Sequence, residues 1–509
     1  MVTEPLEADA ALPAGAGSAR RRAGAPLGRV AALVERNAFV VCVLAAWTGI
    51  ELAFLRATVT PDSWYTLLGG RVVSRVWLPR HDALTVLTRG RDWVDQQWLA
   101  QLGLYGLWRA GGWPLALVAV TALFAAAFAL VAAAARLLGA SARSTALVLL
   151  LCYLVAVTNA AFRAQTPAYL LFSLVLVLLL EDERRPSRRV LLVFPLLALW
   201  ANVHGSVVLG AGLVTLRGAV LALTGLRRRE RPGAWLARAA GLLVAPWLCT
   251  LASPYGLSLP AYYRRVLDNP TLSGLVTEWR PATIRDAPFF FLLLAVALGL
   301  AAARARALSP LAHLALVGTA AAGLWSLRNM VWFALVAAAV VPSALDALWP
   351  PKDAPRRRAL NLALAGTAVA ALLAVAGAAA AHGAAWFERD YPAAAGDAVA
   401  AAAAGDPRLL VFADARYADW LLVEHPELAG RVAYDVRYEL LDGRELRAIA
   451  RFDDQTGAGW WRLARGYGLL VLDPGRELGA IRWYRERKHV ATLYRDRRVA
   501  VLALPGGGA

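Results

Sequence analysis

Cysteine and methionine are scarce in this chain of 509 residues, which has three cysteines and two methionines. Cys42, Cys152 and Cys249 lie far apart, each within or beside an apolar run. The sequence lacks the paired spacing of a zinc site, and three isolated cysteines do not build a disulfide framework. We therefore predict that these cysteines are small packing residues.

Acidic residues are also few, because 36 Asp and Glu face 54 Lys and Arg, which gives a net charge of +18. A strongly basic chain can bind nucleic acid. Here, however, the arginines form short clusters between apolar runs, for example at residues 20–22, 227–229 and 356–358. That spacing is typical of cytoplasmic loops in membrane proteins and argues against nucleic acid as a partner.

Hydrophobic residues make up 59% of the chain, whereas soluble domains average roughly 45–50%. They concentrate in about eleven runs that predict membrane spans. We place these near residues 38–56, 113–134, 145–160, 167–181, 190–203, 206–224, 239–252, 287–303, 309–326, 330–348 and 359–381. The runs 167–181 and 190–203 are shorter than the ~20 residues of a full crossing, which is typical of broken helices that line a cavity.

The predicted fold class is mainly α, a polytopic helical membrane bundle with a C-terminal extracytoplasmic α/β domain. Residues 1–37 are predicted to be a disordered cytoplasmic tail and the lead-in to the first helix. Residues 38–381 form the membrane domain, with a large first outer loop at 57–112, and residues 382–509 form the outer domain. Basic residues collect in alternate short loops, which predicts a multi-pass protein of the inner or plasma membrane with a cytoplasmic N-terminus.

The pattern after residue 405 alternates between strand-like and helical segments. LLVFA (409–413), RVAYD (431–435) and LLVLD (469–473) are predicted to be buried strands, and a helix is predicted from Arg416 to Glu424. The final VATLYRDRRVAVLAL is typical of a hairpin.

The first outer loop is too polar to cross a membrane and too rich in Trp, Leu and Tyr to lie free in water, so we expect it to lie at the interface. Asp62 follows the first predicted span closely. A carboxylate in such a setting can act as a general base. The alternative is that Asp62 caps the helix that begins near Pro61.

Several motifs resemble the bacterial multi-pass glycosyltransferases of the GT-C superfamily, which are related to the protein O-mannosyltransferases. They are PDSWYTLLGGRVV from residue 61, FRAQTPAYLLFSL (162–174), WANVHGSVVLG (200–210) and RNMVWFAL (328–335). The resemblance implies an enzyme that moves a hexose or pentose from a polyprenyl-phosphate donor to an acceptor at the outer face. It implies Asp62 as the catalytic base and Asp82 as the second candidate.

Other residues are candidate substrate ligands. Arg163 and Arg328 stand at the ends of predicted spans, where they would either bind a lipid phosphate or extend to the interface. His204 would orient a phosphate or a sugar hydroxyl, or else hold a helix break. Glu278 and Trp279 would bind the sugar, or else anchor the chain at the interface.

The partners implied are a lipid-linked sugar donor and membrane lipids, and the sequence does not name the acceptor. No nucleotide-binding motif is present, so we predict no cofactor, and the use of a divalent metal stays open. Two other functions are considered: a transporter or flippase of a lipid-linked substrate, and a non-catalytic protein of envelope assembly. Acids in a cavity at the outer face would favour the transferase, whereas acids at the middle of the membrane would favour transport.

Overall fold

The structure is a computed structural model that describes residues 28–229, 231–267, 271, 276–351, 357–488 and 490–505. Most of the predicted disordered tail, residues 1–27, lies outside these ranges. The lead-in to the first span forms a helix, Gly28–Arg36, which is followed after one residue by the helix Ala38–Ala53.

The membrane half is helical. Its helices, numbered in chain order, are α1 (Gly28–Arg36), α2 (Ala38–Ala53), α3 (Pro61–Val76), α4 (Trp98–Leu137), α5 (Ala142–Ala156), α6 (Thr166–Arg184), α7 (Val193–Trp200), α8 (Val207–Arg227), α9 (Pro232–Cys249), α10 (Leu259–Leu267), α11 (Pro288–Ala303), α12 (Pro310–Trp325), α13 (Met330–Leu348) and α14 (Arg358–Ala380). The predicted helical membrane bundle is therefore confirmed.

The predicted number of spans is not confirmed. In the described ranges, α4, α5, α8, α13 and α14, some with an adjoining turn, are long and apolar enough to cross a bilayer, and α1 with α2 forms a sixth candidate bent by 82°. Other apolar runs form shorter helices. Pro288 and Pro310 begin α11 and α12, and each helix has 16 residues, fewer than the ~20 of a full crossing.

Helix α13 lies at the centre of the bundle and α14 at its edge. Of the most apolar stretch of each helix, 72% is buried in α13 but only 11% in α14. Every residue from Val331 to Val341 is buried. Because lipid is as apolar as the core, α14 needs little burial by protein to remain in the membrane.

Helix α4 is broken near its middle. Its 40 residues correspond to roughly 60 Å, about twice the hydrocarbon thickness of a bilayer. Gly111 and Gly112 leave the helical conformation, and the φ of +62° at Gly112 is in the region that favours glycine. The first part of α4 thus belongs to the predicted outer loop, and the second part is a span.

The first part of α4 packs closely against α3. A Cβ added at Gly69 would lie 2.1 Å from Gln101 Oε1, and one at Gly70 would lie 2.4 Å from Gln101 O. The glycine pair therefore permits the two helices to touch, and this contact holds α3 against the first part of α4.

The C-terminal region is a small α/β domain. Its elements are α15 (Ala384–Phe387), α16 (Ala393–Gly405), β1 (Val411–Ala413), α17 (Ala415–Glu424), α18 (Gly443–Asp453), β2 (Leu469–Leu472), α19 (Leu478–Lys488), β3 (Ala491–Arg495) and β4 (Ala500–Ala503). The strand order is β1-β2-β4-β3, with β1 parallel to β2 and the other pairs antiparallel. The predicted strands at 409–413 and 469–473, the helix between Arg416 and Glu424, and the final hairpin are confirmed.

The predicted strand at 431–435 is wrong. Val432 instead makes single bridges to Val411 on one side and to Thr85 of the first outer loop on the other. Val86 N donates to Val432 O at 2.8 Å, and Leu87 N donates to Ala433 O at 3.0 Å. Residues around Val432 therefore connect the domain to the first outer loop.

Candidate functional site

A cavity of about 1060 Å³ lies between the membrane half and the C-terminal domain. Its lower wall comes from the ends of membrane helices and the loops between them, and its upper wall comes from the C-terminal domain. It brings together six of the seven residues predicted from the sequence. These are Asp62, Arg163, His204, Glu278, Trp279 and Arg328.

Asp62 faces this cavity from the first turn of α3. The predicted alternative, that Asp62 caps the helix, is wrong, because Thr60 is the N-cap residue. Ser63 Oγ accepts a hydrogen bond from Thr60 N at 2.9 Å and completes the helix start. The Asp62 side chain is 46% exposed, so its carboxylate is free to meet a substrate.

Arg163 lies below Asp62 and is almost fully buried, with 8% of its side chain exposed. Its Nη1 donates to both Glu278 oxygens, at 2.8 and 3.1 Å, and its Nη2 donates to Asn159 Oδ1 at 3.2 Å. The same Nη1 is 3.6 Å from Asp62 Oδ2. Burial excludes the alternative that Arg163 extends to the membrane interface.

The two carboxylates beside Arg163 differ in pKa. Although the Asp62 side chain faces the space of the cavity, the protein around it displaces bulk water and so raises its pKa. Glu278 raises that pKa further, while Arg163 and Arg328 oppose the rise. Burial would also raise the pKa of Glu278, but Arg163 and Arg328 outweigh it and lower that pKa. Opposite shifts in adjacent acids are typical of sites that divide acid–base roles, and here they favour Asp62 as the group that exchanges a proton.

Arg328 stands beside this pair in the turn Leu327–Asn329, before α13. Its Nη2 donates to Gln165 Oε1 at 3.3 Å, and its guanidinium carbon lies 4.6 Å from the centre of the Trp279 ring. Trp279 therefore stacks on a cation, an arrangement that holds the guanidinium at a fixed place. Arg163 and Arg328 thus both present guanidinium groups on the lower wall of the cavity.

His204 lies in the turn between α7 and α8. Its Nδ1 accepts a hydrogen bond from Ser206 N at 3.1 Å, so the neutral ring carries its proton on Nε2. Burial, with help from Arg328 and Arg163, holds its pKa well below the usual range. The neutral ring can therefore donate one hydrogen bond to a substrate oxygen.

Asp82, the second predicted base, lies away from the cavity, between the first outer loop and the C-terminal domain. Arg437 Nη2 is 2.8 Å from its Oδ1, and Thr88 and Thr85 donate to its Oδ2 at 2.6 and 2.8 Å. These bonds and Arg437 outweigh burial and lower its pKa. Asp82 therefore connects the first outer loop to the C-terminal domain through Arg437, and we propose no catalytic role for it.

The upper wall consists of charged residues that the sequence had not indicated. They are Asp390, Asp414, Arg416, Glu439, Asp453 and Arg476. Asp414 directly follows β1, and Asp473, which binds Arg416 at 3.0 Å, directly follows β2. Ligands of α/β domains bind at the carboxyl ends of parallel strands, so the strand patterns were the available signal.

Two acids of this wall, Asp414 and Asp453, lie beside the buried Glu477, and each of the three could offer an oxygen to a cation. The oxygens of Asp414, Asp453 and Glu477 lie within 4.8 Å of one another. Asp414 already caps α17 by accepting from Arg416 N at 2.7 Å, and Glu477 accepts from Asp473 N at 2.7 Å. These hydrogen bonds explain why both carboxylates are where they are, and we do not propose a metal site at these three acids.

No protein-family model and no curated protein matches the chain. Among solved structures, the chain is similar to ArnT from Cupriavidus metallidurans bound to undecaprenyl phosphate, with 15% identity and a TM-score of 0.47 over 92% of this chain and 98% of that chain. The apo state of the same protein gives 15% identity and a TM-score of 0.45 over 91% and 97%. An Archaeoglobus fulgidus oligosaccharyltransferase in the apo form gives 12% identity and a TM-score of 0.41 over 86% and 69%.

Proposed function

We propose that this protein transfers a sugar from a polyprenyl-phosphate donor to an acceptor hydroxyl at the outer face of the membrane. One observation carries the proposal. Asp62, a carboxylate with a raised pKa, shares a cavity with the guanidinium groups of Arg163 and Arg328. Such a site can take a proton from an acceptor and hold a departing phosphate.

The proposed reaction is a direct displacement at the anomeric carbon of the donor sugar. The acceptor oxygen forms a bond to this carbon while the bond from the carbon to the phosphate oxygen breaks. Asp62 accepts the acceptor's proton, which later passes to water, and the lipid phosphate leaves with its electron pair. Arg328 and Arg163 stabilise the phosphate, because guanidinium groups form strong paired bonds to phosphate oxygens.

Four further residues have roles in this scheme. Glu278 keeps Arg163 in place and does not take part in proton transfer. His204 donates from Nε2 to a phosphate or sugar oxygen. The Tyr262 ring, which also lines the cavity, offers an apolar face for the sugar, as does the open edge of the Trp279 ring.

The position of the cavity favours this function over transport. Asp62, Arg163 and Arg328 lie at helix ends or in the turns between helices, beyond the long apolar stretches of α4 and α13. A transporter binds its substrate near the middle of the membrane. We therefore prefer the transferase, with the cavity and the C-terminal domain outside the cell.

The experiment is glycan analysis in a strain that lacks this protein. The strain is complemented with the parent chain, with Asp62→Asn, or with Asp92→Asn, which alters an exposed acid of the same loop. Mass spectrometry of the envelope should show a sugar that is lost in the deletion and restored by the parent and Asp92→Asn but not by Asp62→Asn. Identical glycans in all four strains would overturn the proposal.

A further inference from the structure

Three elements of the C-terminal domain pack side by side through aromatic rings. They are α18, the turn Trp460–Ala464 and α19. The ring of Trp460 lies 5.4 Å from that of Phe452 on α18 and 5.4 Å from that of Trp483 on α19. The Tyr484 hydroxyl donates to Trp461 O at 3.1 Å. This buried aromatic layer holds the three elements rigidly together.

The outer side of these elements is rich in arginine. The exposed arginines are Arg447, Arg451, Arg462, Arg465, Arg482, Arg485 and Arg487. Among the residues that the structure describes, no acid lies within ion-pair distance of any of these seven. The seven arginines outnumber the exposed acids beside them, Asp454 and Glu486, so this surface carries a net positive charge that is available to a partner.

Two of these arginines stack on neighbouring tryptophans. The guanidinium carbon of Arg462 is 5.8 Å from the ring centre of Trp461, and that of Arg487 is 5.8 Å from the ring centre of Trp483. The two indole rings stack on each other at 5.4 Å with 21° between their planes. Each ring is half-buried. We call these four residues, together with Arg451, the arginine–tryptophan patch.

We propose that the arginine–tryptophan patch binds an anionic polysaccharide. Planar guanidinium groups bind carboxylate or phosphate groups through paired hydrogen bonds. The partly exposed indole rings between them offer apolar surface to sugar rings. A polymer that carries both acids and sugar rings uses both features, whereas a neutral glycan leaves the arginines without partners.

The helices that carry the patch also lead to the upper wall of the cavity. Helix α18 carries Arg451 and ends at Asp453, which lines the cavity, and Arg476, two residues before α19, lines it as well. A polymer on the patch would therefore be held by the same small domain that covers the cavity. If the protein is a glycosyltransferase, as proposed above, the bound polysaccharide is the acceptor, and the patch keeps it near the site between reactions.

The test measures binding by the full-length protein, purified in detergent. The probe is fluorescein-labelled polygalacturonate, followed by fluorescence anisotropy, with labelled neutral dextran in parallel. The patch variant is Arg451→Gln, Arg462→Gln, Arg487→Gln. The matched control is Arg408→Gln, Arg495→Gln, Arg497→Gln, which removes three exposed arginines elsewhere on the same domain. Thermal unfolding verifies that both variants fold like the parent.

We expect the parent and the control to bind polygalacturonate with similar affinity and to bind dextran at least about tenfold more weakly. The patch variant should lose about tenfold in affinity, as for three screened ion pairs. Replacement of the same three arginines by lysine should recover only part of the loss, because lysine keeps the charge but not the planar group.

Equal losses in the patch variant and the control would overturn the proposal, since the charge would then act without a defined site. Equal affinity for dextran and polygalacturonate would also overturn it. The assay contains no sugar donor, so its outcome is independent of glycosyl transfer. A patch that fails to bind leaves the role of Asp62 intact, and loss of the transferase proposal leaves polysaccharide binding intact.

Discussion

Arg163 lies 3.6 Å from Asp62 through its Nη1 nitrogen, a distance that exceeds a normal hydrogen bond. The guanidinium thus stabilises the Asp62 carboxylate without occupying it. A base in this position can still accept a hydrogen bond from a substrate hydroxyl, and this leads to the first prediction.

Asp62→Asn should reduce sugar transfer by about a hundredfold or more, the usual scale for loss of a general base. Folding should be unchanged, because Thr60 and Ser63 form the helix start without the Asp62 side chain. The measurement is transfer by the purified protein, with Asp92→Asn as the control. Transfer at the parental rate by Asp62→Asn would remove this residue from the mechanism.

The pH dependence of transfer should follow the Asp62 carboxylate. A base works only when deprotonated, so activity should fall as the pH drops through its raised pKa. Arg328→Gln removes a positive charge that lowers this pKa, so the acidic limb of the pH–rate profile should move to higher pH. Glu278→Gln removes a negative charge that raises it, so the limb should move to lower pH. Shifts in the same direction would contradict the assignment.

Arg328 should contribute directly to donor binding. A hydrogen bond to a charged group contributes about 1.5–3 kcal/mol, so Arg328→Ala should weaken binding of undecaprenyl phosphate about tenfold to a hundredfold. This lipid is a polyprenyl phosphate, the class of leaving group in the proposed reaction. Arg264→Ala, at an exposed position on α10, is the control. Unchanged affinity in Arg328→Ala would exclude this arginine from the phosphate site.

The ion pair between Arg437 and Asp82 should hold the C-terminal domain on the first outer loop. Neither side chain is exposed. Arg437→Met leaves Asp82 buried without its partner, so we expect a loss of about 3–5 kcal/mol in the free energy of unfolding. Arg91→Gln, at a half-exposed pair with Glu445, should cost about 1 kcal/mol or less. Thermal unfolding in detergent measures both, and equal costs would contradict the structural role.

Orientation can be tested with single cysteines on the two sides. Ala458→Cys lies on the C-terminal domain, and Arg306→Cys lies in a basic turn after α11. A membrane-impermeant maleimide added to intact cells should label Ala458→Cys and not Arg306→Cys. The parent chain gives the background from its own three cysteines. The reverse pattern would invert the topology and place the cavity inside the cell.

Local sequence patterns predicted the parts of the fold that depend on local structure. Strands β1 and β2 are continuous apolar runs between polar residues, and α17 starts at the Asp414 cap. The positions of these three elements could therefore be predicted from the sequence. The segment around Val432 resembles a strand equally well. Val432 instead makes a single bridge to Thr85, which lies in a distant part of the chain, and no local sequence pattern predicts that pairing.

The candidate site was predictable in part for the same reason. Asp62, Arg163 and Arg328 stand at the ends of apolar runs, where a charged residue is costly unless it has a function. The charged upper wall was missed because Asp414 and Asp453 are distant in the sequence and come together only when the C-terminal domain folds. Residue type alone does not distinguish Asp82 from a catalytic base. The nearby Thr85 and Thr88, whose hydroxyl groups donate hydrogen bonds to its carboxylate, were the available sign of a structural role.

The contact between the first outer loop and the C-terminal domain joins two parts of the chain that are synthesised at different times. Arg91 and its partner Glu445 are 354 residues apart, so the loop leaves the ribosome and enters the membrane long before the domain that covers it. Until the last part of the chain has been synthesised and has folded, Asp82 has no Arg437 and the cavity has no upper wall. A nascent or truncated chain would thus occupy the membrane with an open cavity, and the cavity would close only when the C-terminal domain folds over it.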